Sequence, residues 1–148
     1  MSRHSQRAFT LTELMIVISI LALLVGIAYP SYLEHVRKTR RTDAKQTLLH
    51  TSQQLERCYS QFRRYDSLDC PQVLAGPTVD LISPDGFYRV RSVDASGTET
   101  LAPESFTLSA TPRGAQAGDT HCARFVLSSA QVRSSQNSAS ANTTDDCW

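Results

Sequence analysis

From Phe9 to Tyr29 the chain reads FTLTELMIVISILALLVGIAY, 21 residues with a single charge, Glu13. As a helix rising about 1.5 Å per residue, this stretch is roughly 32 Å long, enough to cross a hydrocarbon core of about 30 Å. No other segment constrains the fold as much, because a run this apolar must be covered by lipid or by other protein. The polar residues before it, MSRHSQRA, carry Arg3 and Arg7. A plain secretory signal would use those arginines as its n-region, Leu14 to Val25 as its apolar stretch and Gly26-Ile27-Ala28 as its cleavage site. Two features argue against that reading. Glu13 interrupts the point where the apolar stretch should begin, and the helical pattern continues beyond Tyr29.

Glu13 is the informative residue. A carboxylate at mid-bilayer costs about 2.5–3.5 kcal/mol on insertion scales. It lies only one turn into the segment, so it can reach toward the interface as a tolerated acid. The sharper reading is a buried cationic partner on another chain, because the span itself contains no Lys or Arg. Pro30 follows Gly26 by four residues. Proline removes the N–H that the Gly26 carbonyl would accept and crowds the same turn, so a kink or local melting is expected between them.

Beyond Pro30, Leu33, Val36, Leu48, Leu55, Tyr59 and Phe62 fall at helical spacing, with Ala44 and Ser52 as small fillers. One helix from Phe9 to about Phe62 is expected, apolar all round in its first half and amphipathic in its second. Arg37, Arg41 and Lys45 form a basic i, i+4, i+8 row, read as a solvated or lipid-facing stripe rather than a DNA contact. After Tyr65 the period changes. Gly86–Val93, Ser105–Thr111 and Cys122–Leu127 alternate, Gln131–Arg133 offers a short fourth strand, and Pro84-Asp85-Gly86, Ala95-Ser96-Gly97 and Arg113-Gly114 signal turns. The fold class is therefore α+β, a helix covering a small antiparallel meander. Ser128 to Asp146 has no core pattern of its own.

Fifteen Lys+Arg against fourteen Asp+Glu leave a formal net charge of +1, too little for a nucleic-acid binder working by bulk electrostatics. Cys58, Cys70, Cys122 and Cys147 form no C-x-x-C pair and stand at no zinc-finger spacing. An even count behind an export segment reads as two disulfides in an oxidising compartment, although four cysteines allow three pairings. Arg37, Lys38, Arg40 and Arg41 outnumber the arginines before the span, so charge bias alone would place the head in the cytoplasm. The cysteines override that bias. His4, His35, His50 and His121 are scattered, and no nucleophile elbow, phosphate loop or H-E-x-x-H run occurs. No enzyme activity, cofactor or metal site is expected: His121 beside Cys122 reads as a surface histidine next to a disulfide, and Asn142-Thr143-Thr144 as a chance sequon.

Ala8-Phe9-Thr10-Leu11-Thr12-Glu13-Leu14, with the apolar run to Pro30, resembles the leader and first helix of type IV pilins and pseudopilins. FTLSATPRGAQAGDTHC and the ending DDCW resemble PilE-type minor pilins in particular. The resemblance implies that a prepilin peptidase/methyltransferase cuts the Ala8–Phe9 bond and methylates the new Phe9 amine. That amine, with a pKa near about 8, is the missing cation, and Glu13 of an incoming subunit would neutralise it on its neighbour. Ala8 stands where glycine is usual, and Thr12 where an aliphatic residue is usual; the Thr12 hydroxyl can bond back to a helix carbonyl.

The implied organisation is a removed leader over 1–8, a transmembrane and filament-core helix over 9–29, its amphipathic half over 30–62, and a globular pilin head over 63–148. The local pairing Cys58–Cys70 and Cys122–Cys147 is preferred, the second resembling the C-terminal disulfide loop of pilins. Loops of this size contribute about 3 kcal/mol each in the chain-entropy account. Implied partners are other major and minor pilins, the peptidase, an inner-membrane assembly platform and the membrane itself, with nucleic acid as a weakly supported further partner. The head would be periplasmic before assembly and extracellular in the filament afterwards. The expected role is a minor pilin supporting pilus biogenesis, twitching motility, adhesion or DNA uptake, with a type II secretion pseudopilin as the alternative. The latter often relies on calcium, and no D-x-D-x-D loop is present.

Overall fold

The computed structural model describes residues 9–70, 78–94 and 96–148. Helix α1 runs Leu11–Phe62, and the chain divides into two bodies at Val36/Arg37. In the first body every residue from Phe9 to His35 is exposed, including Leu14, Ile16, Leu21, Leu24 and Ile27. A window of this helix reaches a mean hydropathy of 2.5, so by length and composition it can cross a membrane. The helix is continuous through Gly26 and Pro30.

The second body is the head. Its part of α1 buries Ala44, Leu48, Thr51, Leu55 and Cys58, alternating steps of four and three that, with Ser52 beside them, make one inward stripe. The expected stripe is too long at its C-terminal end. Phe62 is 40% exposed, because α1 stops there: Arg63 turns left-handed at φ 59° and its N–H closes on the Tyr59 carbonyl at 2.8 Å.

Five strands follow: β1 (Asp80–Ile82), β2 (Tyr88–Arg91), β3 (Thr107–Pro112), β4 (Arg124–Ser128) and β5 (Arg133–Gln136). They pair antiparallel in sequence order, the simple meander that the turn signals imply. At Pro84-Asp85-Gly86 the turn from β1 to β2 needs a left-handed residue, and Gly86 supplies it at φ 77°. Registers Val90↔Ala110↔Phe125 and Leu108↔Leu127 put the apolar members of the alternations on one face. There, with Tyr88, Phe106 and Val79, they meet Ala44, Leu48 and Leu55 of α1 in one core. Each large side chain removed from water contributes about 1.5–3 kcal/mol.

Strand β1 and the last strand depart from the sequence reading. Asp-Leu-Ile is too short to alternate, and its strand exists because β2 offers an edge. The span Ser128 to Asp146, which shows no core pattern, nonetheless holds β5 and a four-residue helix α2 (Thr144–Cys147). Its inward residue is Ser135, fully buried because its hydroxyl meets Thr143 Oγ1 at 3.1 Å and its N–H reaches Thr144 Oγ1 at 3.0 Å. Trp148 then closes this corner. Its ring stands edge-on to Phe125 at 5.9 Å, and its indole N–H donates to the Ser134 carbonyl at 2.6 Å. Disulfides join Cys58 to Cys70 and Cys122 to Cys147, both with Cα atoms 5.9 Å apart. The first holds the end of α1 to the following loop. The second ties α2 to the start of β4.

Candidate functional site

At the start of α1, Thr10 and Glu13 form a reciprocal cap. Glu13 Oε2 accepts from the Thr10 N–H at 3.0 Å and from its hydroxyl at 2.9 Å, while the Glu13 N–H donates to Thr10 Oγ1 at 3.3 Å. Two N–H groups that a helix N-terminus leaves open are thereby satisfied. The signal, T-x-x-E ahead of an apolar run, is legible in the sequence, but the acid's membrane cost draws attention away from it. Glu13 thus has a local role besides any intermolecular one. Among the described residues its second oxygen, Oε1, accepts no hydrogen bond. The Thr12 hydroxyl meets Thr10 Oγ1 at 3.1 Å rather than a helix carbonyl, whereas Ser19 does bond back, to Met15, at 2.7 Å. Phe9 is 85% exposed. Ala8 lies outside the described residues. Nothing stands within 4 Å of a side chain placed at Gly26, so packing within this chain does not require glycine there.

In the head, the basic row of α1 is not a solvated face. Arg41 is 5% exposed and forks onto Asp119, itself 2% exposed, with Nε–Oδ2 at 2.7 Å and Nη2–Oδ1 at 2.9 Å. Gln116, in the 3-10 turn Gly114–Gln116, donates through Nε2 to Asp119 Oδ2, the Arg37 carbonyl and the Tyr88 hydroxyl. The Cys122 N–H adds a bond to Asp119 Oδ1 at 3.2 Å. Burial pushes the Asp119 carboxyl up, but the Arg41 guanidinium and the Cys122 N–H outweigh it, and the group sits below the ordinary carboxylate range. Burial raises the Tyr88 hydroxyl to about 12. Lys45 donates to the Trp148 carbonyl at 3.1 Å, and burial together with Arg41 and Lys38 lowers its pKa. Through Arg41 and Lys45 the row therefore fastens the sheet and the tail to the helix.

The positive surface is elsewhere, on the face of the sheet turned away from the core. Arg89 and Arg91 project from β2 opposite Thr111 and Ser109 of β3, and Arg113 follows β3. An open groove there is lined by Asp80, Ile82, Arg89, Arg91, Thr111 and Arg113. Asp80 holds Arg89 at 2.8 Å, which depresses the Asp80 carboxyl. Arg91 and Arg113 make no side-chain hydrogen bond among the described residues, although Arg91 stands near enough to Asp80 to help depress its carboxyl. The alternation of β2 displays Arg89 and Arg91 in the sequence. Only the sheet shows which side they take and adds Arg113.

A long helix, apolar and exposed in its first part, leading into a helix-covered antiparallel sheet with a C-terminal disulfide, defines a type IV pilin. The chain belongs to the family described as type IV minor pilin ComP, DNA uptake sequence receptor, whose model matches residues 30–126. The prokaryotic N-terminal methylation motif matches residues 3–29. Among curated relatives, prepilin peptidase-dependent protein D of Escherichia coli (strain K12) is 41% identical over 64 residues, 43% of this chain and 44% of that protein. The fimbrial protein of Moraxella nonliquefaciens is 35% identical over 63 residues, covering 38% and 41% respectively. The chain thus spans less than half the length of these two relatives.

Proposed function

We propose that this chain is a minor subunit of a type IV pilus whose head engages DNA through the outer face of its sheet. In this reading a prepilin peptidase/methyltransferase cleaves Ala8–Phe9 and methylates Phe9. The helix holds the subunit in the inner membrane with its head in the periplasm. An assembly platform then passes it into a filament among other pilins, where Glu13 meets a neighbour's Phe9 amine. The methylation motif supports the processing step, and the family's description as a DNA uptake sequence receptor supports the ligand. The observation that carries the DNA reading is the groove lined by Arg91 and Arg113, neither of which makes a side-chain hydrogen bond among the described residues, flanked by Arg89 and Thr111. Guanidinium groups and hydroxyls beside one another are what phosphate oxygens require. A near-neutral chain can bind in this way, since the charge that counts is local. A type II secretion pseudopilin would share the N-terminal segment, and the two disulfides with the DNA-uptake family match favour the pilus.

The test is duplex DNA binding by the full chain in detergent, measured across a salt series. Replacing Arg91 and Arg113 by Ala should weaken binding and flatten the slope of log K against log salt by about 0.9 for each phosphate no longer neutralised. An Arg91→Ala/Arg113→Ala protein that binds with unchanged affinity and slope would rule the groove out.

A further inference from the structure

The charged side chains of the outer groove do not act alike. Asp80 stands directly opposite Arg91 in the β1–β2 register, yet its carboxylate forks onto Arg89, the next residue along β2 on the same face. Oδ1 accepts from Arg89 Nε at 2.8 Å, and Oδ2 accepts from Nη2. That edge of a guanidinium, with two parallel N–H groups, is the one that fits two oxygens of an oxoanion. The pair is nevertheless open to exchange. Its Asp80 and Arg89 side chains are 34% and 52% exposed, whereas the Arg41–Asp119 fork is shut off from solvent. An exposed pair adds little to stability and weakens in salt, so a competing anion can take its place. The Arg89 hydrogen bonds, aided by the charge of Arg91, hold the Asp80 carboxyl low against the opposing effect of burial. At neutral pH the groove therefore contains its own anion.

We infer that Asp80 is a built-in competitor for the nucleic-acid phosphate: its carboxylate occupies the fork of Arg89 and yields it only to a ligand that also engages Arg91 and Arg113. This rests on the DNA reading of the groove and adds the residue that sets how tightly, and for which anions, the groove closes. A lone phosphate that took the Arg89 fork would stand beside the displaced carboxylate, two like charges at one guanidinium. Nothing else would hold it there. A strand that presents successive phosphates is different. With Arg91 and Arg113 already engaged, its next phosphate is held beside Arg89 at high effective concentration, and the exchange becomes favourable. Asp80 thus makes the groove selective for polyanions over single anions, and it keeps the grip on DNA looser than three free guanidinium groups would.

The experiment measures duplex DNA binding by the full chain in detergent, between about 50 and 200 mM salt. Asp80→Asn keeps the side-chain shape and removes its charge. The freed Arg89 should neutralise one further phosphate, so binding tightens and the slope of log K against log salt steepens by about 0.9. The advantage over the unaltered protein should accordingly be about 3- to 4-fold larger at the low-salt end than at the high-salt end. In an Arg89→Ala background the gain should vanish, because a pairwise effect needs both partners. Loss of negative charge in general would act with or without Arg89. Asp145→Asn, an exposed acid outside the groove, supplies that comparison and should leave the slope unchanged. Inorganic phosphate alone should move the Arg89 Nε–H resonance saturably in Asp80→Asn and not in the unaltered protein over the same range. Suppose Arg91 and Arg113 carry DNA binding, but Asp80→Asn binds no tighter or keeps its gain without Arg89. The inference then fails while the DNA reading stands, and phosphate acting equally on both proteins would overturn it too. Unchanged binding by Arg91→Ala/Arg113→Ala would sink both.

Discussion

Thr10 and Glu13 meet twice at the start of α1, and this makes alanine an ambiguous replacement for the acid. Glu13→Ala removes both the helix cap and the negative charge. Glutamine at the same position can still reach back to the Thr10 N–H, because a capping box accepts Glu or Gln. It carries no charge to neutralise an amine on another copy. Glu13→Gln should therefore keep the helix start and lose entry into filaments, measured as subunit abundance in sheared pili. Thr10→Ala should do the reverse, costing about 1 kcal/mol of capping while still entering. Should the Gln variant be recovered at normal levels, the acid serves the helix start rather than a neighbouring subunit.

The contact between α1 and the turn before β4 is polar where a sheet and a helix would ordinarily share only side-chain packing. Arg41 and Asp119 are both nearly inaccessible, so neither charge tolerates the loss of the other. Asp119→Ala or Arg41→Ala should lower head stability by about 3–5 kcal/mol, a large part of the 5–15 kcal/mol available to a domain. The double replacement Arg41→Met/Asp119→Leu should recover most of it in denaturant unfolding, because no uncompensated charge remains. The same pair gives a pH signature. With the folded Asp119 pKa below its unfolded value, its contribution is complete above the unfolded carboxyl value of about 4 and is lost as pH falls through the folded value. The acid limb of the head's stability curve should flatten in the double variant.

At the scale of the whole molecule, the head compensates for a small core by closing its own ends. The Cys122–Cys147 loop spans 25 residues and encloses β4, β5 and α2, and three of the four β5 residues are Ser or Gln. Replacing both cysteines by Ala should cost about 3 kcal/mol if loop entropy dominates. For a head of this size that corresponds to a fall in Tm of roughly 10–20 °C by calorimetry. A drop below about 1 kcal/mol would mean that Trp148, Ser135 and Thr143 already hold the tail without the crosslink.

Sequence alone determined whatever depends on neighbours along the chain. An unbroken apolar run needs a second environment, helical spacing of apolar residues after Pro30 needs a partner surface, and alternation in 86–93, 105–111 and 122–127 needs a sheet with one dry face. These periodicities repeat over several residues, so one anomalous position does not erase them. Tertiary structure alone decided what depends on closure between distant segments. It made strands of DLI and RSSQ, which carry no repeat of their own, by offering each an edge. It turned Arg41 from an apparently wet residue into a buried one by bringing Asp119 to it across 78 positions. It also left Arg91 and Arg113 on the open side of the sheet. A charge is hydrated or buried according to what arrives beside it, and local pattern holds no record of that arrival.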